Sequence, residues 1–154
     1  MTKESRAEAA RPNPALKQLE VFVGEWDIEI SRATWLPDMQ AKVSGHSRFE
    51  WIENGAFLAM YQNLGTIRDT WLIGRDESND SYEAFFFDDR KRSRIYEMSY
   101  KAGVWRIWRS TPTFYQRSKG VLNKSHNRIS SEWKSSKDGR RWGHDFNVEY
   151  TKIK

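Results

Sequence analysis

AKVSGHSRFEWIENGAFLAMYQNLG, residues 41–65, decides the fold class of this chain. From Ala41 to Trp51 the odd positions are small or apolar and the even positions are charged or polar. A period of two is typical of a half-buried β-strand. Glu53-Asn54-Gly55 follows as a hairpin signal, because Asn and Gly tolerate a positive φ, and residues 57–65 run back as the next strand. The stretch predicts an antiparallel hairpin with His46 on its solvent-facing side.

The rest of the chain repeats this pattern at short intervals. Connectors that contain Gly, Asn, Asp, Ser or a basic pair separate the predicted strands, as turns require. One segment reads as a helix, since Asn13 can cap it, Pro14 suits its first turn and Gly24 follows it. Because no helix alternates with the strands, we predict an all-β fold, a closed antiparallel meander β-barrel of about ten strands with one short N-terminal helix. The other predicted strands are 25–31, 70–74, 81–87, 93–100, 104–110, 113–122, 128–134 and 141–152.

Length and composition predict one domain and a reducing compartment. A chain of 154 residues can bury a core of its own. We assign residues 13–154 to a single barrel domain and residues 1–12, which are charged and contain proline, to a flexible arm. The sequence has no cysteine, which excludes disulfides and thiol chemistry. No secretory leader and no 18-residue apolar run is visible, so we expect a cytoplasmic protein without a membrane partner.

The net charge of +5 conceals an uneven distribution. Residues 1–89 hold 9 Lys/Arg and 16 Asp/Glu, a net −7, whereas residues 90–154 hold 17 and 5, a net +12. Such a basic half can bind nucleic acid or an anionic surface. The basic residues occur one or two at a time at outward strand positions and in turns, which favours ordinary solvent-facing charge. We therefore expect nucleic acid not to be the partner.

If the alternation holds, the barrel interior is aromatic with a few polar groups. Aromatic walls with few convergent polar groups are typical of ligand pockets, and a barrel of this width is either filled by side chains or holds a small molecule. We predict that the lumen binds a small apolar or aromatic molecule, with a carboxylate or carbonyl to match a buried Arg109. The predicted ligand-binding residues are Trp26, Trp51, Tyr96, Trp105, Arg109, Gln116, Trp133, His144 and Phe146. Phe49, Trp71, Phe114, Ser118, Ser131 and Trp142 are predicted to face inward as well.

Two interpretations of His144 stay open. In RRWGHDFNVEY, residues 140–150, it is in register with Trp142, Phe146 and two further apolar residues, which predicts an inward side chain. It is either a polar group on the pocket wall or a core histidine whose nitrogens bond to Tyr or Ser. The strands are not all assigned this way: for residues 93–100 the tyrosine face is favoured inward, and SYEAFFF, residues 81–87, fits either orientation.

The start of the first strand resembles the calycins, the group of lipocalins and fatty-acid-binding proteins, through Gly24, Glu25 and Trp26. The rest resembles a bacterial calycin-like family of unknown function, through LIGRD (72–76), FFFDDR (85–90), IYEMSY (95–100), WRIWR (105–109), FYQR (114–117) and SKDGRRWGHDFNVEY (136–150). The resemblance spans residues 16–152 and implies a compact barrel with a small-molecule site, without an established activity. It also implies a cation over Trp26, from Lys152 or from the pair Arg140 and Arg141.

The sequence departs at two points from the families that it resembles. No Thr-Asp-Tyr lipocalin element is visible, so secretion and lipocalin receptor biology are not implied. Haem-binding barrels related to nitrobindin extend the Gly-x-Trp with further glycines, whereas Glu25, Asp27 and Glu29 occupy those places here. We therefore expect no haem, no other cofactor and no metal. His46, His126 and His144 also lack ligand spacing.

Three further alternatives remain. One is a small isomerase or cyclase that uses His144 or a tyrosine as acid and base, with Arg109 or Gln116 to polarise a carbonyl. His144 and Asp145 cannot share a site in a regular strand, because adjacent residues point to opposite faces. Another is a nucleic-acid-binding module through the basic C-terminal half, where Arg and aromatic residues alternate. The third is a homodimer, since three consecutive Phe at 85–87 cannot all be buried in one strand.

Overall fold

A computed structural model describes residues 13–76 and 78–154 of the chain. The predicted arm over residues 1–12 lies outside the described residues. A 3-10 helix spans Pro14–Phe22 and a one-turn 3-10 helix spans Glu53–Gly55. The strands are β1 Gly24–Ser31, β2 Val43–Ile52, β3 Phe57–Asn63, β4 Arg68–Gly74, β5 Tyr82–Asp88, β6 Ser93–Lys101, β7 Val104–Thr111, β8 Phe114–Leu122, β9 Arg128–Ser136 and β10 Gly143–Lys152.

The ten strands form one closed antiparallel barrel in meander order. Each strand pairs with its neighbours along the chain, and β1 closes the ring by pairing with β10. This confirms the predicted fold class and strand number. Closure leaves no free sheet edge, so every strand has hydrogen-bonded neighbours on both sides. Within the described part of the chain, no helix is both long enough and apolar enough to cross a membrane.

The N-terminal helix closes one end of the barrel. The Asn13 side chain caps it by accepting a hydrogen bond from the Ala15 amide at 3.0 Å, as predicted. Leu16, Leu19 and Phe22 are fully buried beneath it. The Phe22 ring reaches the lumen and packs against aromatic side chains of three strands, Phe49, Tyr100 and Trp105, at centroid distances of 4.9–5.5 Å. This end of the lumen is therefore filled with side chains.

Trp26 joins the helix to the barrel. Its indole N–H donates to the Phe22 carbonyl at 2.8 Å, and the side chain is fully buried. The Lys152 ammonium lies 5.4 Å from the centre of its ring, which confirms the cation predicted over Trp26. Gly24 lets the chain enter β1 at this point, because its φ is +133° and a Cβ there would lie 2.3 Å from the Lys154 carbonyl oxygen.

Most strands present the face that their alternation predicts. In β6 the tyrosine face is inward, with Tyr96 and Tyr100 buried while Ile95 is 65 % exposed. Strand β5, which fits either orientation in the sequence, places Tyr82, Ala84 and Phe86 inward, and the Phe85 and Phe87 rings pack edge to face outside. The same alternation places Arg109 and Gln116 opposite each other on the inner faces of β7 and β8.

Three residues predicted to face the lumen lie elsewhere. In β10 the pairing shifts between His144 and Phe146, so Asp145 is an extra residue of a β-bulge. The bulge reverses the faces: Phe146 is inward, whereas His144 pairs with Lys134 on the outer surface. The prediction for His144 is therefore wrong. Trp142 precedes the strand, and its ring lies over the Arg117 guanidinium at 3.9 Å.

Trp51 is the third correction. It lies near the end of β2, beside the N-terminal helix, and its indole N–H donates to Glu20 Oε2 at 2.5 Å. The side chain is half-buried against the core. The helix covers this end of the barrel, so Trp51 has a carboxylate partner at the closed end and does not line the open part of the lumen.

Candidate functional site

The lumen contains a cavity of about 510 Å³ in the half away from the helix. Its mouth lies among the loops that join β1 to β2, β3 to β4 and β5 to β6, and includes Trp35, Leu64, Arg90 and Arg92. Its walls are aromatic: Trp71, Phe86, Tyr96, Trp105, Trp133 and Phe146 all line it. Several of these rings contact one another. The centroid of the Trp71 ring lies 4.9 Å from that of Phe86 and 5.0 Å from that of Tyr96. A cavity of this volume can hold a small molecule of one or two rings.

The structure brings together most of the predicted site. Five of the nine residues line the cavity: Tyr96, Trp105, Gln116, Trp133 and Phe146. Arg109 lies behind this wall, with its guanidinium 5.6 Å from the Tyr96 ring and 5.4 Å from the Phe114 ring. The other three, Trp26, Trp51 and His144, do not line it. Of the predicted residues on regular strands away from the helix, all but Arg109 line the cavity, whereas those beside the helix or before the bulge do not.

A cationic side of the cavity is built around Phe114. The Arg94 guanidinium lies 4.7 Å from the Phe114 ring centre, and Arg109 is the other cation on this ring. Among the described residues, no carboxylate lies within 4.0 Å of either guanidinium. Arg109 Nη2 donates to Thr111 Oγ1 at 2.9 Å, whereas its Nε and Nη1 are buried without a partner. Buried guanidinium nitrogens without a partner are costly, so an anion that approaches Arg109 would be stabilised.

A hydrogen-bonded chain crosses the wall next to these arginines. The Tyr96 hydroxyl donates to Gln116 Oε1 at 2.6 Å, and Gln116 Nε2 donates to Asp145 Oδ2 at 3.3 Å. Asp145 Oδ1 in turn accepts from the Thr34 hydroxyl at 3.2 Å. Burial raises the pKa of Tyr96, and Arg94 and Arg109 partly offset that effect. The bulged residue Asp145 thus connects the cavity wall to the β1–β2 loop, which carries Trp35 at the mouth.

The wall two strands away from Arg94 carries a buried carboxyl that sequence reasoning missed. Asp69 lines the cavity and is only 9 % exposed. With the Gln62 amide nitrogen facing it, that amide donates to Asp69 Oδ1 and Oδ2 at 3.0 and 3.2 Å. Gln62 also lies 3.4 Å from the Tyr150 hydroxyl, whose pKa is raised by burial. The spacing in the sequence could have indicated it, because Asp69, Trp71 and Ile73 are two residues apart and therefore share one face of the strand.

Burial raises the pKa of Asp69 to about 7 from an ordinary value of 3.8. The nearby Trp71 indole and Arg90 oppose the shift, whereas the negative charges of Asp88 and Asp89 add to it. The indole N–H of Trp71 is nevertheless without a hydrogen bond of ordinary geometry. Arg90 is already engaged, because its guanidinium donates to Asp88 Oδ2 at 2.7 and 3.0 Å. Asp69 therefore has no ion-pair partner of its own among the described residues.

His144 fastens the mouth loop from outside the barrel. Its Nδ1 lies 2.7 Å from Glu132 Oε2 on β9, and its Nε2 lies 2.8 Å from the Arg32 carbonyl oxygen at the start of the β1–β2 loop. Both contacts are on the outer surface. The imidazole therefore positions the loop that carries Trp35, and it makes no contact with the lumen.

The outer surface has one basic and one apolar region. An open groove across β6–β9 is lined by Arg106, Trp108, Arg117, Lys119 and Lys134. On the neighbouring strands, Ile95 pairs with Phe85, which is 39 % exposed and pairs in turn with Leu72. These are the outward positions expected for WRIWR and for the run of three Phe. In residues 13–76 and 78–154, no three or more His, Asp or Glu side chains are grouped closely enough to hold a metal ion.

Comparison with known proteins supports the fold and gives no information on the chemistry of the site. No family model matches the chain. No curated protein matches it either. Among solved structures it is similar to the crystal structure of Rv2717c from M. tuberculosis, with a TM-score of 0.58 and 10 % sequence identity over 93 % of this chain and 99 % of that one. An identity of 10 % shows a shared barrel fold alone, and the function rests on the geometry of the cavity.

Proposed function

We propose that this barrel binds a small aromatic or apolar molecule that carries an acidic group. The ring system would lie against Trp71, Tyr96 and Trp133, and the acidic group would face Arg94 at the cationic side of the cavity. The observation that carries the proposal is the pair of guanidinium groups on Phe114, without a carboxylate partner, beside an aromatic cavity of about 510 Å³. A ligand anion would supply the missing counter-charge beside these guanidinium groups.

The calycin-like relationship belongs to this proposal. Trp26 beneath the helix, with Lys152 over its ring, supports it, because the resemblance implies both features. The closed helix end and the open loop end are also what a lumen-binding barrel needs, since the ligand then enters from one side only. The absence of cysteine supports a cytoplasmic protein.

Native mass spectrometry of the protein purified from its own host tests the proposal. We expect a molecule of defined mass that is released on denaturation and is acidic. Isothermal titration calorimetry with indole-3-propionate, a ring with one carboxylate, then gives an affinity. Arg94→Gln should weaken that affinity by about tenfold or more, since it removes the cation but keeps a polar side chain. Arg106→Gln is the matched control on the outer face.

Two results would contradict the proposal. One is an empty protein together with no saturable binding of indole-3-propionate, which would indicate that the lumen holds only side chains and water. The other is equal weakening by Arg94→Gln and Arg106→Gln, which would indicate a general effect of net charge. Both differ from the expected pattern, in which only the inward arginine matters.

A second candidate function is proton transfer on the bound molecule. His144 cannot supply it, because its side chain is outside the barrel. The observation that favours this candidate is Asp69, a carboxyl with a pKa near neutrality that lines the cavity, as general acids and bases do. A product whose mass equals that of the added ligand but whose retention time differs, formed by wild type and not by Asp69→Asn, would establish an isomerase.

A further inference from the structure

Asp69 is a buried acid without an opposing charge on the side of the cavity away from Arg109. It is 9 % exposed, and among the described residues the Gln62 amide is its only hydrogen-bond partner of good geometry. Hydrogen bonds from a neutral amide stabilise a carboxylate less than an ion pair does. The other two carboxylates beside the mouth have specific partners: Asp88 has Arg90, and the half-buried Asp145 has Gln116 and Thr34.

The groups around Asp69 favour a cation rather than an anion. On β4, Trp71 lies on the same face two residues away, and the Phe86 ring packs against it at 4.9 Å. Aromatic faces attract ammonium groups, and a carboxylate beside them increases that attraction. The charged or titratable groups that face Asp69 from the other elements are Asp88 and Asp89, the already paired Arg90, and Tyr150.

We propose that Asp69 binds a protonated amine of the ligand, so that the cavity takes an aromatic molecule with both an amine and an acidic group. This inference rests on the proposed function and specifies its ligand class. Arg94 on β6 and Asp69 on β4 are separated by β5 alone. Arg94 pairs with Phe86 and Phe86 with Trp71, two residues from Asp69, so the two backbones are about 12 Å apart at roughly 4.8 Å per strand and 3.4 Å per residue. The Arg94 side chain is long enough for one head group to reach both residues.

Three probes with the same ring test the two charges separately. Indole-3-propionate carries the carboxylate, tryptamine carries the ammonium, and tryptophan carries both. Isothermal titration calorimetry of each probe would be run with wild type, Asp69→Asn, Arg94→Gln and Asp27→Asn at about pH 5.5 and about pH 8.5, where the probe charges are retained. Asp27 is the control carboxylate, because it lies on the outer face of β1 and its side chain is 67 % exposed.

We expect tryptamine to bind wild type about tenfold or more tightly at the higher pH, because Asp69 must be ionised to attract it. Asp69→Asn should remove both the affinity and its pH dependence, while Asp27→Asn should leave both unchanged. Indole-3-propionate should bind Asp69→Asn at least as well as wild type, since a neighbouring negative charge is gone. Tryptophan should bind wild type most tightly and should lose affinity in both inward variants.

The possible failures are distinguishable. Tryptamine that does not bind, or binds Asp69→Asn as it binds wild type, overturns the inference. If indole-3-propionate still binds through Arg94 in that case, the proposed function stands without the amine. If tryptamine binds through Asp69 while indole-3-propionate does not bind, the inference about the amine stands. The proposal that the ligand carries an acidic group is then wrong. The pH comparison on wild type needs no variant, so a folding defect of Asp69→Asn cannot conceal the result.

Discussion

Replacing Asp69 with Asn should stabilise the protein at alkaline pH and have little effect at acidic pH. Burial raises the pKa of Asp69 from 3.8 to about 7, so the folded state holds a proton that the unfolded state releases. Stability is therefore highest below the unfolded pKa of 3.8, falls as the pH rises through the window, and is constant above the folded pKa. A rise of about three pKa units corresponds to roughly 4 kcal/mol in total, at 1.36 kcal/mol per unit.

About 3 kcal/mol of this change falls between pH 5 and pH 8, which is accessible to experiment. Urea denaturation followed by tryptophan fluorescence would give the free energy of unfolding of wild type and Asp69→Asn at several pH values in this range. Groups such as Glu25 and Asp138, whose pKa values are lowered by hydrogen bonds, respond to pH in both proteins. Their contributions cancel in the difference.

The expected difference is about 1.5 kcal/mol at pH 5 and grows to roughly 4 kcal/mol in favour of Asp69→Asn at pH 8. A difference that changes by less than about 1 kcal/mol over this range would refute the reasoning, because Asp69 would then not be a buried acid that the fold keeps protonated. A difference that grows in the opposite direction would mean that the ionised carboxylate stabilises the fold, and the inference of an unpaired acid would be wrong.

Three further substitutions test other parts of the barrel. His144→Ala should lower the free energy of unfolding by about 1 kcal/mol or less, since its partner Glu132 is 43 % exposed, and should speed amide hydrogen exchange in residues 32–42. Exchange unchanged in that loop would show that His144 does not hold it. Leu19→Ala should cost about 2–5 kcal/mol in urea denaturation, because it opens a cavity under the helix, and a loss below about 1 kcal/mol would mean that the helix is a loose cover. Gly45→Ala should destabilise strongly in the same assay, since its Cβ would lie 2.4 Å from the Asn63 carbonyl oxygen, and a neutral effect would place the β2–β3 contact elsewhere.

The barrel itself could be predicted from the sequence because its strands are regular. In β2 and β7 the side chains alternate without interruption, so counting by two gives the inner face, including Phe49, Trp105 and Arg109. Where several apolar residues adjoin, as in β5, alternation fits both faces. The pairing of Phe86 with Trp71 inside the barrel then decides the orientation, and that contact between distant residues cannot be read from the local pattern.

The site could be predicted only in part, for reasons tied to particular residues. A β-bulge adds one residue without a sequence signature, so counting through Asp145 placed His144 on the wrong face. Asp69 was missed because it follows Arg68 in a polar stretch that resembles a turn, although β4 already includes both residues. Trp51 was misplaced because alternation gives the face of a residue but not its height in the barrel. The height depends on where the helix packs.

The two ends of the barrel suggest why these polar groups are present. The helix end is made of fully buried apolar side chains such as Leu16 and Phe22, which stabilise the fold. The open end contains Arg109 with buried unpartnered nitrogens and Asp69 without a counter-ion, and both destabilise an empty barrel. If Arg109→Leu and Asp69→Asn each raise the free energy of unfolding at pH 8 while lowering the affinity for tryptophan, these groups are kept for the ligand. If both variants lose stability and affinity together, the same groups are part of the framework that holds the barrel open.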